Sequence, residues 1–254
     1  MREKLQAVVL GTVRHSDRVN IVNLYTDTRG RLAVMSTPPG QSKAGRMRAA
    51  ALMPLSIIST EINFRQTSEL QRLGAVTPVR ANSGICGNPA KSAVALFLCE
   101  FLTRLLRESA PDAELWRFLT LSIAELDRTP SPAHFYLPFL AGLTRFTGIE
   151  PDVTDYTPGS CFDMRQGCYV PFHPAHNDVL TPTPASVLRS GRVVETPGAA
   201  YAPRLLMRLR YDTAARLKLP LAARRELLDG LLRYYAIHLP GADRLNSLDV
   251  LRSL

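Results

Sequence analysis

The apolar residues of this chain keep two different periods, and the change falls near Pro89. Before it, apolar positions alternate in short runs of about 6–10 residues, the pattern of half-buried β-strands. After it, they recur every three to four residues, the pattern of helices with one buried face. No single regular architecture accommodates both periods, so the sequence predicts an α+β chain with a strand-built first third and a helical remainder.

Within the first third, residues 5–14 alternate loosely and are rich in Val and Leu. Val19, Ile21, Val22 and Leu24 continue the pattern, with Asn20 and Asn23 between them. His15-Ser16-Asp17 forms a short hairpin loop, and Asp27-Thr28-Arg29-Gly30 a second turn leading into residues 31–36. Thr37 to Arg46 holds two Pro and two Gly with no apolar period, and is expected to be a mobile loop. A short Ala-rich piece, Met47 to Leu52, then precedes strands at 55–64 and about 70–76. Five strands in about 80 residues, with a break between the third and fourth, predict a five-stranded OB-type Greek-key β-barrel over residues 1–80.

The helical domain is expected over 81–254. Val94, Leu98, Phe101, Leu102 and Leu105 share one helical face. Phe135, Phe139, Leu140, Leu143 and Phe146 share a second, and Leu227, Leu228, Leu231, Leu232 and Tyr235 a third. This last helix begins after Pro220 and stops before Pro240-Gly241. Between about 148 and 184 the helical period lapses in a Pro-rich stretch, read as an irregular insertion.

Charge follows the same division. The first 80 residues hold 12 Lys/Arg against 5 Asp/Glu, and the remainder 19 against 17. Arg14, Arg18, Arg29, Arg31, Lys43, Arg46 and Arg48 fall in one stretch with only Asp17 and Asp27 among them. Such a set suits a polyanion, with nucleic acid the first candidate. Tyr25 and Phe64 are the only aromatics there. Tyr25 is placed in the expected DNA-binding set, but charge should dominate over base stacking.

The residues that carry chemistry are sparse. There is no phosphate loop, no dinucleotide fingerprint, no GxSxG and no HExxH. No enzymatic activity and no cofactor are expected. Cys161, Cys168, His173 and His176 are zinc-competent types within 16 residues, but C-x6-C-x4-H-x2-H lacks the tight pairs of structural zinc sites. Ordinary thiols and surface histidines are expected in their place, with a zinc-dependent enzyme kept as the alternative from another class. No apolar run reaches the roughly 20 residues that span a bilayer. The N-terminus has no signal-peptide pattern. A cytoplasmic, nucleoid-associated protein is expected, with no membrane contact.

Leu232 to Gly241 (LRYYAIHLPG) and Asn246 to Leu251 (NSLDVL) resemble the end of the recombination mediator RecO family, in its Bacteroidetes form. Leu24-Tyr25-Thr26, Gly30-Arg31-Leu32, the Gly/Lys/Arg loop before Leu52-Met53-Pro54-Leu55, Phe162-Asp163-Met164 and His173-Pro174 extend the resemblance along the whole chain. It departs at Ala242, where an aromatic is usual, at Asn246 in place of Lys, and at Ala236 in place of Arg. Many members carry a four-cysteine zinc site, and this chain lacks its CxxC pairs.

The resemblance implies an N-terminal OB domain and a helical C-terminal domain without known catalytic chemistry. It implies binding to single- and double-stranded DNA, strand annealing, and loading of recombinase onto strands coated by single-strand DNA-binding protein. The implied partners are RecR and that protein's acidic C-terminal tail. Arg204, Arg208, Arg210, Arg216, Arg224 and Arg225 are the candidate partner-binding cations of the helical domain. A generic RNA-binding OB protein is the nearest rival reading.

Overall fold

A computed structural model describes residues 2–65, 70–107, 109–182, 211, 221–241 and 245–252. Strands β1 (Arg2–Arg14), β2 (Asn20–Thr26) and β3 (Gly30–Ser36) form an antiparallel meander. Helix α1 (Lys43–Ala51) follows, then β4 (Ile57–Asn63) and β5 (Gln71–Pro78). The five strands close into a barrel in the order β1-β2-β3-β5-β4. The predicted OB-type barrel is therefore present.

β1 is long enough to serve two neighbours. Its first half pairs with β4 and its second half with β2, and the register slips between Val9 and Gly11. Such a bulge bends a strand and increases its twist, as closure requires. Leu5, Ala7, Val9, Val22, Leu24, Val34, Ile58, Ile62 and Leu73 fill the interior. At Gly30, φ is +64° and an added Cβ would lie 2.2 Å from the Ser109 carbonyl oxygen, so only glycine fits that turn.

Closure is weakest between β3 and β5. They pair in parallel at only two positions, Val34 with Gln71 and Met35 with Arg72. Helix α1 lies over this seam. Arg48 donates through Nη2 to Ser36 Oγ at 3.2 Å, and through Nη1 to the Gly74 carbonyl at 3.0 Å. One guanidinium thus joins the end of β3 to β5. Gly74 is where β5 comes closest to β4, since a Cβ there would meet the Glu61 carbonyl oxygen at 2.2 Å.

The loop expected over 37–46 is shorter than that, because α1 begins at Lys43. Ser42 caps the helix by accepting from the Gly45 N–H at 3.1 Å. No apolar period announced the helix because its inward side carries Gly45, Arg48 and Ala49 before Ala51 and Leu52 reach the core, so a charge interrupts the apolar stripe.

After the barrel come α2 (Ser83–Cys86), α3 (Pro89–Leu105) and α4 (Ala113–Arg128). Asn88 accepts from the N–H groups of Ala90 and Lys91, and Pro89 occupies the first helical position. α3 seats on β1: the Cys99 thiol lies 3.5 Å from the Val9 carbonyl, and the Thr103 hydroxyl donates to Leu10. By compactness the chain therefore divides later than its hydrophobic period does. One unit comprises 1–128 with 246–251, and the other 129–245 with 252–254.

The first unit includes a segment from the end of the chain. Helix α7 (Leu248–Arg252) begins where Glu100 of α3 accepts from the N–H groups of Asn246 and Ser247 and from the Ser247 hydroxyl. Burial opposes ionisation of Glu100. These three donors and Arg104 outweigh it and hold the carboxyl at about 2.

The second unit packs α5 (Tyr136–Leu143), buried along its whole length, against α6 (Leu221–His238). The Tyr235 hydroxyl donates to the Leu140 carbonyl at 2.7 Å. The stretch expected to be irregular contains a small sheet of β6 (Cys161–Asp163), β7 (Cys168–Val170) and β8 (Val179–Leu180), in the order β7-β6-β8. Strands of two or three residues are too short to show a period among so many prolines. No helix of the described residues is long and apolar enough to cross a membrane.

Glu100→Gln tests the tie to α7. The Glu100 carboxyl is held below its usual value of 4.5, so its stabilisation is complete above about pH 5 and disappears as pH falls toward 2. Denaturant titration should find the variant about 1–3 kcal/mol less stable at pH 7, a gap that narrows on acidification.

Candidate nucleic-acid interface

The structure divides the cations of the barrel into those that hold it together and those left on its surface. Arg29 is of the first kind. Its Nη2 lies 2.7 Å from Glu3 Oε2, and its guanidinium carbon sits 4.8 Å from the centre of the Phe64 ring. The hydrogen bond from Arg29 holds the Glu3 carboxyl below its usual range. Arg31 is half-buried and donates to the Leu32 carbonyl at 3.0 Å, and burial lowers its pKa. Arg48 is the clasp on the β3–β5 seam, likewise desolvated. It stands on a helix that holds the barrel shut and not, as expected from the sequence, on an exposed loop.

Tyr25 was expected on the surface and is fully buried, beside Ser109 and Asp112. Burial raises the pKa of its hydroxyl. The strand period alone assigns one face of β2 to solvent, but the 109–112 segment covers that face here. Tyr25 therefore presents no ring to a base.

The remaining cations are exposed, as Arg29 also is in part, with 46% of its side chain in water. Arg14 pairs with Asp17 across the β1–β2 turn, with both side chains largely in water, a geometry that contributes little. Arg18 on the same turn, and Lys43 and Arg46 on α1, are exposed and form no ion pair among the described residues. Lys43 and Arg46 are three residues apart and so share a face of α1, a helix with no acidic residue. Sequence reasoning missed Arg72. It alternates with inward-facing Leu73 and points out of β5, the strand on which α1 packs. The alternation around Leu73 was the signal that could have found it.

Of the candidate partner-binding residues, Arg204, Arg208, Arg210 and Arg216 lie outside the described residues. Arg224 and Arg225 stand on α6. Arg225 is exposed, whereas Arg224 is half-buried and its charge acts on His134 and Tyr136.

The zinc-competent residues do not fit a zinc site. Cys161 is buried in β6, and Cys168 lies 3.7 Å from Gln166 Oε1. His173 Nδ1 is 2.8 Å from the Pro174 carbonyl, and His176 Nε2 is 3.3 Å from Asp163 Oδ2. Among the described residues no three His, Cys, Asp or Glu side chains gather as a metal site would need. An ion-pair network holds this region instead. Asp178 accepts from Arg165 Nε at 2.6 Å and from Arg233 Nε of α6, and Asp163 Oδ1 accepts from the N–H groups of Arg165 and Gln166. The two arginines hold the Asp178 carboxyl below its usual range.

The sequence matches known proteins along nearly its whole length. The family model for the recombination protein O N terminal matches residues 1–82, and that for the recombination protein O C terminal matches residues 86–249. A DNA repair protein RecO from Phocaeicola vulgatus is 34% identical over 255 residues, spanning 100% of this chain and 99% of its own. One from Bacteroides fragilis is 34% identical over 256 residues with the same coverage. One from Porphyromonas gingivalis is 29% identical over 257 residues, spanning 98% of this chain and 97% of its own.

Thermal unfolding separates the two classes of cation. Arg48→Met leaves the Gly74 carbonyl and Ser36 without their donor and should cost about 1–3 kcal/mol. Lys43→Glu combined with Arg46→Glu alters only exposed side chains and should change stability by less than about 0.5 kcal/mol.

Proposed function

The chain belongs to the recombination protein O (RecO) family, and from that premise we propose that it serves DNA repair and recombination as a binding and annealing protein. In this reading the barrel holds single- and double-stranded DNA by charge and brings complementary strands together. It also helps load recombinase onto strands coated by single-strand DNA-binding protein. The observation that carries the reading is the outer face of α1, where Lys43 and Arg46 stand exposed, with no ion pair among the described residues, on a helix without acids.

Annealing requires two polyanions to approach, so phosphate charge must be neutralised. It also requires the pairing edges of the bases to remain free. Exposed cations on the barrel meet the first need, and the burial of Tyr25 beneath the 109–112 segment is compatible with the second. Neither need calls for a nucleophile or a metal, and we assign none.

The second unit, with exposed Arg225 on α6, is assigned to partner proteins: RecR and the acidic tail of single-strand DNA-binding protein. The place of action is the cytoplasm, at the nucleoid.

Binding through Arg18, Lys43, Arg46 and Arg72 should release about four counterions. The slope of log K against log salt should then be roughly −3 to −4. Fluorescence anisotropy across a salt series measures it, and a slope shallower than about −1 overturns the electrostatic reading. In a strand-annealing assay, with and without single-strand DNA-binding protein, the Lys43→Glu/Arg46→Glu variant should anneal more slowly than the parent at equal concentration.

A further inference from the structure

The outer face of α1 carries one side chain that phosphate binding does not use. Lys43, Arg46, Met47 and Ala50 recur at three- and four-residue spacing and are all exposed, whereas Gly45, Arg48, Ala49 and Leu52 form the half-buried side. Met47 is 63% exposed, more than any other large apolar side chain described in the first unit. Single exposed hydrophobics are ordinary. This one lies one residue from Arg46 and four from Lys43, so the two cations and the thioether make one continuous surface. Arg72, on the strand beneath, adds a third cation.

The other large apolar side chains exposed in the described part of the first 80 residues, Val13, Met53 and Val79, lie outside α1 and its run of cations. Tyr25 is buried, and the Phe64 ring is covered by Arg29. We propose that Met47 is the base contact of the barrel. In this arrangement Lys43 and Arg46 hold the phosphates of a strand, and the thioether presses on the face of an unstacked base or between two of them. The inference rests on the DNA-binding reading above and adds to it a preference for single strands. Methionine is unbranched and polarisable, so it accepts any base face without reading its edge. An apolar side chain that enters a base step must first unstack it, at a cost that a duplex bears in full and an already unstacked strand does not. Contact with base faces leaves the Watson–Crick edges free, as annealing requires.

The test uses the full chain, a mixed-sequence single strand containing 2-aminopurine, and the corresponding duplex. Met47→Ala should weaken single-strand binding about 5–10-fold, corresponding to about 1–1.4 kcal/mol. It should also reduce the 2-aminopurine fluorescence change, leave the salt slope unchanged and alter duplex affinity less than about twofold. Met47→Leu should retain most of the binding. Unchanged single-strand affinity in Met47→Ala overturns the proposal, as does an equal loss on strand and duplex. If Met47→Ala leaves DNA binding intact but removes self-association in sedimentation, the face is an interface between copies and the proposal is likewise overturned. Failure of the underlying reading is distinguishable, because the parent protein itself would then show no salt-dependent binding.

Discussion

The barrel depends on how the seam between β3 and β5 is closed. Four of its five junctions are antiparallel ladders of four to seven paired positions, and the fifth is a parallel contact of two. An open seam would expose unpaired backbone groups and the edge of the apolar core. Helix α1 covers it, and Arg48 converts a gap between strands into a set of hydrogen bonds. A guanidinium suits this role because its planar, rigidly spaced donors reach two elements at once while its charge remains partly solvated.

That use of an arginine has a consequence for function. An excess of cations in the first third of the sequence reads as one basic surface, yet the structure commits several of them to internal duties. Arg29 closes onto Glu3 and Phe64, Arg31 onto a backbone carbonyl, and Arg48 onto the seam. What remains for a polyanion is smaller and more directional. The same helix that shuts the barrel with one side presents Lys43 and Arg46 on the other. The clasp therefore fixes the backbone that carries the two exposed cations.

In the second unit a polar network holds the small sheet. Asp178 gathers Arg165 and Arg233, and Asp163 gathers backbone N–H groups and His176, so that three very short strands are tied to α6. Carboxylates held by two or more donors order a small sheet that has little apolar surface of its own to bury.

The sequence by itself determined the broad architecture. The change of period near Pro89 separated strands from helices, the order of turns gave the five-stranded barrel, and the motifs at both ends of the chain pointed to the family. These are local signals, written in spacing and turn chemistry. Tertiary structure decided the rest, because those features depend on residues far apart in the chain. α1 was illegible because its inner side sets the charge of Arg48 beside Ala51 and Leu52, too short an apolar patch to show a period. Tyr25 was misplaced because the segment at Ser109–Asp112, more than 80 residues away in sequence, covers it. The pairing of Glu100 with Asn246 and Ser247, 146 and 147 positions away, places residues 246–251 in the first unit. Which cations are free was decided in the same way: charge can be counted along a sequence, but whether it is spent depends on which partner the fold brings within 3 Å.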